Sequence, residues 1–501
     1  MLKNGAGVLV IIAAALFLAG IGFRSFGTSR GVPVLGLDAC VFVPQAVTFR
    51  ATGDLINPVW PAAKLLDPAS KGRMVYHGFL FPMTLAWLMS RSDYLALIGS
   101  LALLAAVATI LPALMFLVLA RRWNWDLTAA RWLLVLFLTI AAANYTQGSP
   151  GRPETLAAVI LASGVIVGAS ISSRWQPISA ALAIGLTTAV DPIVGVLAGF
   201  LFAGYAAWKW PARLGIPRII VAAILALLTF GCCILLYPYS ARDWLEGTLR
   251  MGRYAISRPV SGSPVRLFLG NYITSGSSWL IFLAIVLVLW TCWRIVNARL
   301  REQSRPQSPL LFVAVLILAT AAVCRFVLYA PWTRYTFLPF MPIGYIAVFY
   351  ELGRIETAQR QPHWFYRFCA IAILAWISLG FVLDLGTEAL VLKYGDSLPI
   401  ARAQFQAVRA EHPGSTIALS QYLFALTEDC HNVVFTNEAN PPPPNVDLLI
   451  LPQAFSAYLQ PPVVRGFQLR ENYFDGRSLF GIPLFRLGNR SYAFAVYARE
   501  R

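Results

Sequence analysis

Residues 94–120 read YLALIGSLALLAAVATILPALMFLVLA, and Arg121-Arg122 follow at once. A helix of about 20 residues crosses a hydrocarbon core of ~30 Å. This stretch carries no charged side chain, so it reads as a membrane span with a basic end. Working outward, comparable runs lie near residues 6–23, 128–143, 153–172, 218–237, 278–296, 309–328, 336–351 and 367–387. Residues 177–208 read as two shorter helices meeting at Asp191-Pro192, where proline ends one helix and aspartate starts the next. The expectation is an all-α polytopic membrane bundle of about eleven transmembrane helices.

Composition agrees. Of 501 residues, 58% are hydrophobic and only 13% charged, which excludes an ordinary soluble protein. Orientation follows from Lys and Arg in the short loops. Arg121-Arg122, Arg174, the group Lys209, Arg213 and Arg218, the run from Arg294 to Arg305, and Arg354, Arg360 and Arg367 fall on alternate loops, on the side of Lys3. That side is expected to be the cytoplasm. Tryptophans 123, 125, 175, 208, 210, 293 and 364 fall at the same ends, as interfacial anchors do. The net charge of +17 is largely this topological arginine, so a nucleic-acid partner is rejected. The first span has no convincing cleavage pattern and reads as a retained anchor. An odd number of spans leaves the C-terminus outside; a bacterial inner membrane is the expected location, with the tail periplasmic or extracellular.

Two modules are expected: residues 1–388 as the membrane part and 389–501 as a small extracytoplasmic α/β domain. Within the first, residues 24–93 form a long outer loop with candidate helices at Val43–Thr52 and Phe81–Met89. A second outer loop, residues 237–278, carries an amphipathic helix from Ser240 to Ile256, with Trp244, Leu245 and Leu249 on one side and Arg242, Glu246, Arg250 and Arg253 largely on the other. In the tail, Ile400–Ala410 suits a helix. Strands are expected at Thr416–Leu419, Val433–Thr436, Val446–Leu451 and Phe467–Tyr473, with a final pair at Leu484–Leu487 and Tyr492–Tyr497. A glycine-rich phosphate loop and a spaced Cys/His set are both missing from the sequence. Cys40 and Cys430 both fall on the outer side, where a disulfide can persist; the sequence leaves their pairing open.

The chemistry-bearing residues gather on the outer side. Asp38, in Gly36-Leu37-Asp38-Ala39-Cys40, heads the first loop, which returns through Tyr76-His77-Gly78. A carboxylate there suits a general base or a divalent-cation ligand, Mg or Mn, and equally a helix N-cap. Arg152 and Glu154, in Gly151-Arg152-Pro153-Glu154, put a cation and an anion at the mouth of the next span; proline and glutamate also simply start a helix well. Arg334-Tyr335 ends another outer turn, and arginine is the natural fork for phosphate oxygens. Tyr76 and His77 are candidates for acceptor or loop support. Asp191 reads as a helix cap.

This layout resembles the GT-C superfamily of integral-membrane glycosyltransferases, which includes protein O-mannosyltransferases and the lipid A aminoarabinose transferase. The likeness rests on the many spans, a long first outer loop with an acid near its start, Arg152-Pro153-Glu154 opening a span, Arg334-Tyr335 followed by Leu338-Pro339 and Met341-Pro342, and an outer C-terminal α/β domain. The resemblance implies Asp38 and Glu154 as catalytic acids, and Arg152, Arg334 and Tyr335 as phosphate-binding residues. It further implies a polyprenyl-phosphate-linked sugar donor, a glycan, lipid or protein acceptor, and inversion at the anomeric carbon. Many members carry two adjacent acids in the first loop, whereas Asp38 is followed by Ala39 and Cys40. That departure favours a single base over a metal. The competing classes are a polytopic transporter or flippase, expected to show duplicated halves and polar groups at mid-membrane, and a non-catalytic envelope assembly protein.

Overall fold

The structure is a computed structural model. It describes residues 22, 26–30, 39–59, 72–73, 78–122, 151–257, 338–340, 343, 386, 389, 393, 398–427, 433–436, 445–452, 463–473, 478–479, 482–483 and 492–500. The spans expected near residues 6–23, 128–143, 278–296, 309–328, 336–351 and 367–387 lie wholly or mostly outside these residues.

The helices are α1 (Ala39–Phe42), α2 (Pro44–Thr52), α3 (Leu80–Leu88), α4 (Tyr94–Arg122), α5 (Pro153–Ser170), α6 (Gln176–Val190), α7 (Pro192–Lys209), α8 (Ala212–Ile234), α9 (Ala241–Ser257) and α10 (Leu398–Glu411). Among the described residues, α4, α5 and α8 are long and apolar enough to cross a membrane, while α6 and most of α7 form shorter apolar helices. The count of eleven remains a reading of the sequence.

Helix starts are built by local chemistry. Asp93 accepts the Ala96 amide at 2.7 Å and so caps α4, while Arg121 and Arg122 complement the carbonyl end of its dipole. Proline stands in the first turn of α5, α6 and α7, where its missing N–H costs nothing. Small residues let the helices approach closely, as they do inside membranes. A Cβ at Gly164 of α5 would stand 2.6 Å from that of Ala183 on α6, and one at Gly185 of α6 would stand 2.6 Å from the Ala226 carbonyl oxygen on α8. On the outside of α8, Leu227 and Leu228 are largely exposed, as a lipid-facing surface requires.

The expected outer-loop helices are present, with α2 and α3 within a residue of their predicted bounds. Asn57 fastens the start of the loop by donating Nδ2 to the Cys40 carbonyl at 2.9 Å, and its own Oδ1 accepts the Val59 amide at 3.0 Å. Cys40 is buried; Cys430 lies outside the described residues. The amphipathic α9 is held by Trp244, which is buried against Phe230 at 5.1 Å between ring centroids. Leu245 and Leu249 stay exposed beside it, and Arg242 pairs with Glu246 at 2.8 Å.

The described residues of the tail form strands β1 (Ile417–Ser420), β2 (Val433–Thr436), β3 (Leu448–Pro452), β4 (Phe467–Tyr473), β5 (Ser478–Leu479), β6 (Ile482–Pro483) and β7 (Phe494–Arg499). Five form one sheet in the order β2-β1-β3-β7-β4, with β1 parallel to β2 and β3, and β7 antiparallel to β3 and β4. Alternate side chains serve opposite faces. Ile417, Leu419, Leu448, Ile450, Phe494 and Val496 join Phe405 of α10 in the main core, whereas Ala418, Leu449, Leu451, Ala495 and Tyr497 form a second cluster. Residues 484–487 lie outside the described residues. Both edges of β7 are taken by β3 and β4.

The sheet domain sits on the end of the bundle where α4 begins. Phe424, in the 3-10 turn Gln421–Leu426, packs on Tyr94 with ring centroids 5.3 Å apart, and the Leu398 amide donates to the Arg30 carbonyl at 3.1 Å. The helix Ala39–Phe42 also touches that turn and lies against Gly151, so the start of α5 shares this rim with the start of α4 and the tail.

Candidate active site

Arg152 stands just before α5 with extended backbone, following Gly151 at φ +99°. That turn sends its guanidinium forward onto Glu154. Nε donates to Oε2 at 3.1 Å and Nη2 donates to Oε1 at 2.8 Å, so the pair is a two-bond fork. Both side chains are buried, at 9% and 7% exposure, which removes the water that would otherwise screen them. Glu154 also lies in the first turn of α5, where the helix dipole favours an anion.

A second acid comes to this fork from another helix start. Asp191 caps α7, its Oδ1 accepting the amides of Ile193 at 2.9 Å and Val194 at 3.1 Å. It is 8% exposed. Burial first, and then the nearby Glu154 charge, push its carboxyl up to about 7, against the pull of Arg152 and the two amides. Asp191 thus lies within electrostatic range of the Arg152–Glu154 pair, with its carboxyl raised well above the usual carboxylate range. Such a cluster can accept a proton from a hydroxyl or give one back.

Three close approaches wall the cluster. A Cβ at Gly78 would stand 1.5 Å from the Val190 carbonyl oxygen, so the returning first loop lies directly against the turn that carries Asp191. A Cβ at Gly151 would stand 2.9 Å from Val43 Cγ2 and 3.0 Å from Ala39 Cβ, which brings the start of the first-loop helices against the Arg152 turn. Phe79 stacks near Tyr237 with centroids 4.9 Å apart, tying the loop return to the end of α8.

The expected pairing of Arg152 with Glu154 is seen directly. Asp38, Tyr76, His77, Arg334 and Tyr335 lie outside the described residues, although their chain neighbours Ala39 and Gly78 belong to the walls. Asp191 is the member that sequence reading took for a cap alone. Its signal was present: like Glu154, it sits beside a proline that starts a helix. Among the described residues no three His, Cys, Asp or Glu side chains gather as a cation site. Both Glu154 oxygens are engaged by Arg152, so these residues do not by themselves make a metal cage.

No family model matches the chain, and no curated protein sequence matches it. Solved structures do. ArnT from Cupriavidus metallidurans bound to undecaprenyl phosphate superposes with a TM-score of 0.50 at 12% identity, covering 99% of this chain and 98% of that one. The chain has the GT-C fold. An Archaeoglobus fulgidus oligosaccharyltransferase tethered to an acceptor peptide also matches, with a TM-score of 0.43 at 12% identity over 87% of this chain and 69% of that one. Its apo form gives a TM-score of 0.45 at the same identity and coverage. In this GT-C fold the acid–guanidinium cluster lies at the rim that meets the C-terminal domain.

Proposed function

We propose that this chain is a membrane glycosyltransferase that moves a sugar from a polyprenyl-phosphate donor to a glycan, lipid or protein acceptor on the outer side of the membrane, with inversion. The observation that carries the reading is the buried cluster of Arg152, Glu154 and Asp191 at the rim of a GT-C bundle. The similarity to ArnT, itself bound to undecaprenyl phosphate, supports the donor class.

The acceptor oxygen attacks the anomeric carbon as the bond from that carbon to the phosphate oxygen breaks. The hydroxyl proton passes to a carboxylate, and the polyprenyl phosphate departs with the bonding pair. Asp38 is the base in this scheme, Glu154 the second catalytic acid, and Arg152, Arg334 and Tyr335 hold the leaving phosphate. Arginine is suited to that task because its planar fork matches phosphate oxygens. Tyr76 and His77 support the acceptor side. If a divalent cation, Mg or Mn, takes part, Asp38 is its ligand; no step here is routed through it.

The test is a lipid and glycan analysis of the envelope of a strain lacking the chain, complemented with wild type or with Asp38→Asn. A sugar lost in the deletion, restored by wild type and not by the variant at equal expression, supports the reading. Full restoration by Asp38→Asn favours a transporter or an assembly protein.

A further inference from the structure

At the other end of the same helices the bundle opens again. A cavity of about 250 Å³ lies among α4, α5, α6 and α7, with apolar walls including Leu161, Val165, Ala183 and Phe202. Gly168 lines it on α5, fourteen residues after Glu154, or ~21 Å along a helix rising ~1.5 Å per residue. Its nearest wall residue on α5, Leu161, is seven residues past Glu154, or ~10 Å, and the cavity runs from there to the far ends of α4 and α7. Its mouth carries Arg122, the last residue of α4, and Lys209, the last of α7.

The charge at this mouth is one-sided. Lys209 Nζ donates to Gln176 Oε1 at 2.7 Å and lies over the rings of Tyr205 and Trp210. Arg122 and Arg218 are near enough to repel its charge, and Arg218 itself stacks over Trp210 at 4.4 Å. Among the described residues lining the cavity none is acidic. Three cations held together beside an aromatic anchor, above an apolar slot between helices, form a site for an anion with a hydrocarbon tail.

We propose that this cavity binds one anionic phospholipid of the leaflet opposite the reaction, headgroup phosphate on Arg122 and Lys209 and an acyl chain between α5 and α7. The loop arginines place this end on the cytosolic side. Charge complementarity selects the occupant: a zwitterionic lipid gains less from three unpaired-sign cations than an acidic one. The assignment stands independently of the transferase reading.

The test is native mass spectrometry of the full chain in detergent, titrated with phosphatidylglycerol, phosphatidylcholine or polyprenyl phosphate. The expected result is one retained phosphatidylglycerol, preferred over phosphatidylcholine by roughly tenfold or more, since two cations near an acidic lipid surface together contribute on this scale. Arg122→Gln with Lys209→Gln should abolish the preference. Gly168→Leu fills the slot without touching a charge, because a Cβ there meets only Ser179 Oγ at 3.7 Å; it should weaken retention of the acidic lipid. Equal binding of the two phospholipids, binding insensitive to both variants, or displacement of phosphatidylglycerol from this site by polyprenyl phosphate would overturn the proposal.

Discussion

Gly151 lies against Ala39, so closely that a Cβ on the glycine would stand 3.0 Å from the alanine methyl. The contact joins two stretches more than a hundred residues apart in sequence and seats the residue after Asp38 beside the one before Arg152. Gly151 also has φ +99°, where a side chain is strained by about 1–3 kcal/mol. Gly151→Ala should therefore lower the thermal midpoint and disturb the rim, whereas Gly53→Ala, with positive φ and open space around it, should show backbone strain alone. Comparing the two variants by thermal unfolding in detergent separates strain from crowding.

The Arg152–Glu154 fork predicts strong coupling. Removing either partner leaves a buried charge poorly compensated, a loss of about 3–5 kcal/mol in comparable pairs. Arg152→Met and Glu154→Leu should each destabilise by roughly that amount, and the double variant by clearly less than the sum. A double-mutant cycle by unfolding measures this directly; additive effects would mean that the fork is energetically idle.

Asp191 gives the pH behaviour a sign. Its folded carboxyl is raised from 3.8 to about 7, so its contribution to stability is complete below the unfolded value and is lost as pH rises through the folded one. The thermal midpoint should fall as pH goes from about 4 to about 7 and level off above. Asp191→Asn keeps a side-chain oxygen for the α7 cap and should remove much of that slope. An unchanged slope in the variant would assign the titration elsewhere.

Phe424 tests how the tail is tied to the bundle. It is fully buried and packs on Tyr94, so Phe424→Ala should cost about 3–5 kcal/mol of local stability. Limited proteolysis should then cleave around residues 427–433 faster than in wild type.

Much of this was legible in the sequence for clear physical reasons. The spans α4, α5 and α8 followed from hydropathy, α2, α3 and α9 from apolar periodicity, and β2 and β4 from β-branched and aromatic runs bounded by turns. The pairing of Arg152 with Glu154 could be expected because only Pro153 separates them at the helix start. The nearness of Asp191 to Glu154 could not, since it depends on how α6 and α7 pack beside α5, and close packing is set by Gly164 and Gly185 across the fold. The strand order was likewise hidden: β7 enters between β3 and β4, a long-range pairing that local propensity does not encode.

The central claim is that carboxylates at this rim drive transfer from a lipid phosphate. The decisive experiment is release of free polyprenyl phosphate from a pooled lipid-linked sugar fraction by the purified chain in liposomes supplied with an envelope glycan, lipid and protein extract as acceptor, with wild type, Asp38→Asn and Glu154→Gln compared at matched folding. Wild type should turn over, Asp38→Asn should lose about 10²–10⁴-fold, the range for removing a general base, and Glu154→Gln should show a marked loss. Wild-type turnover that persists undiminished in both variants would contradict it.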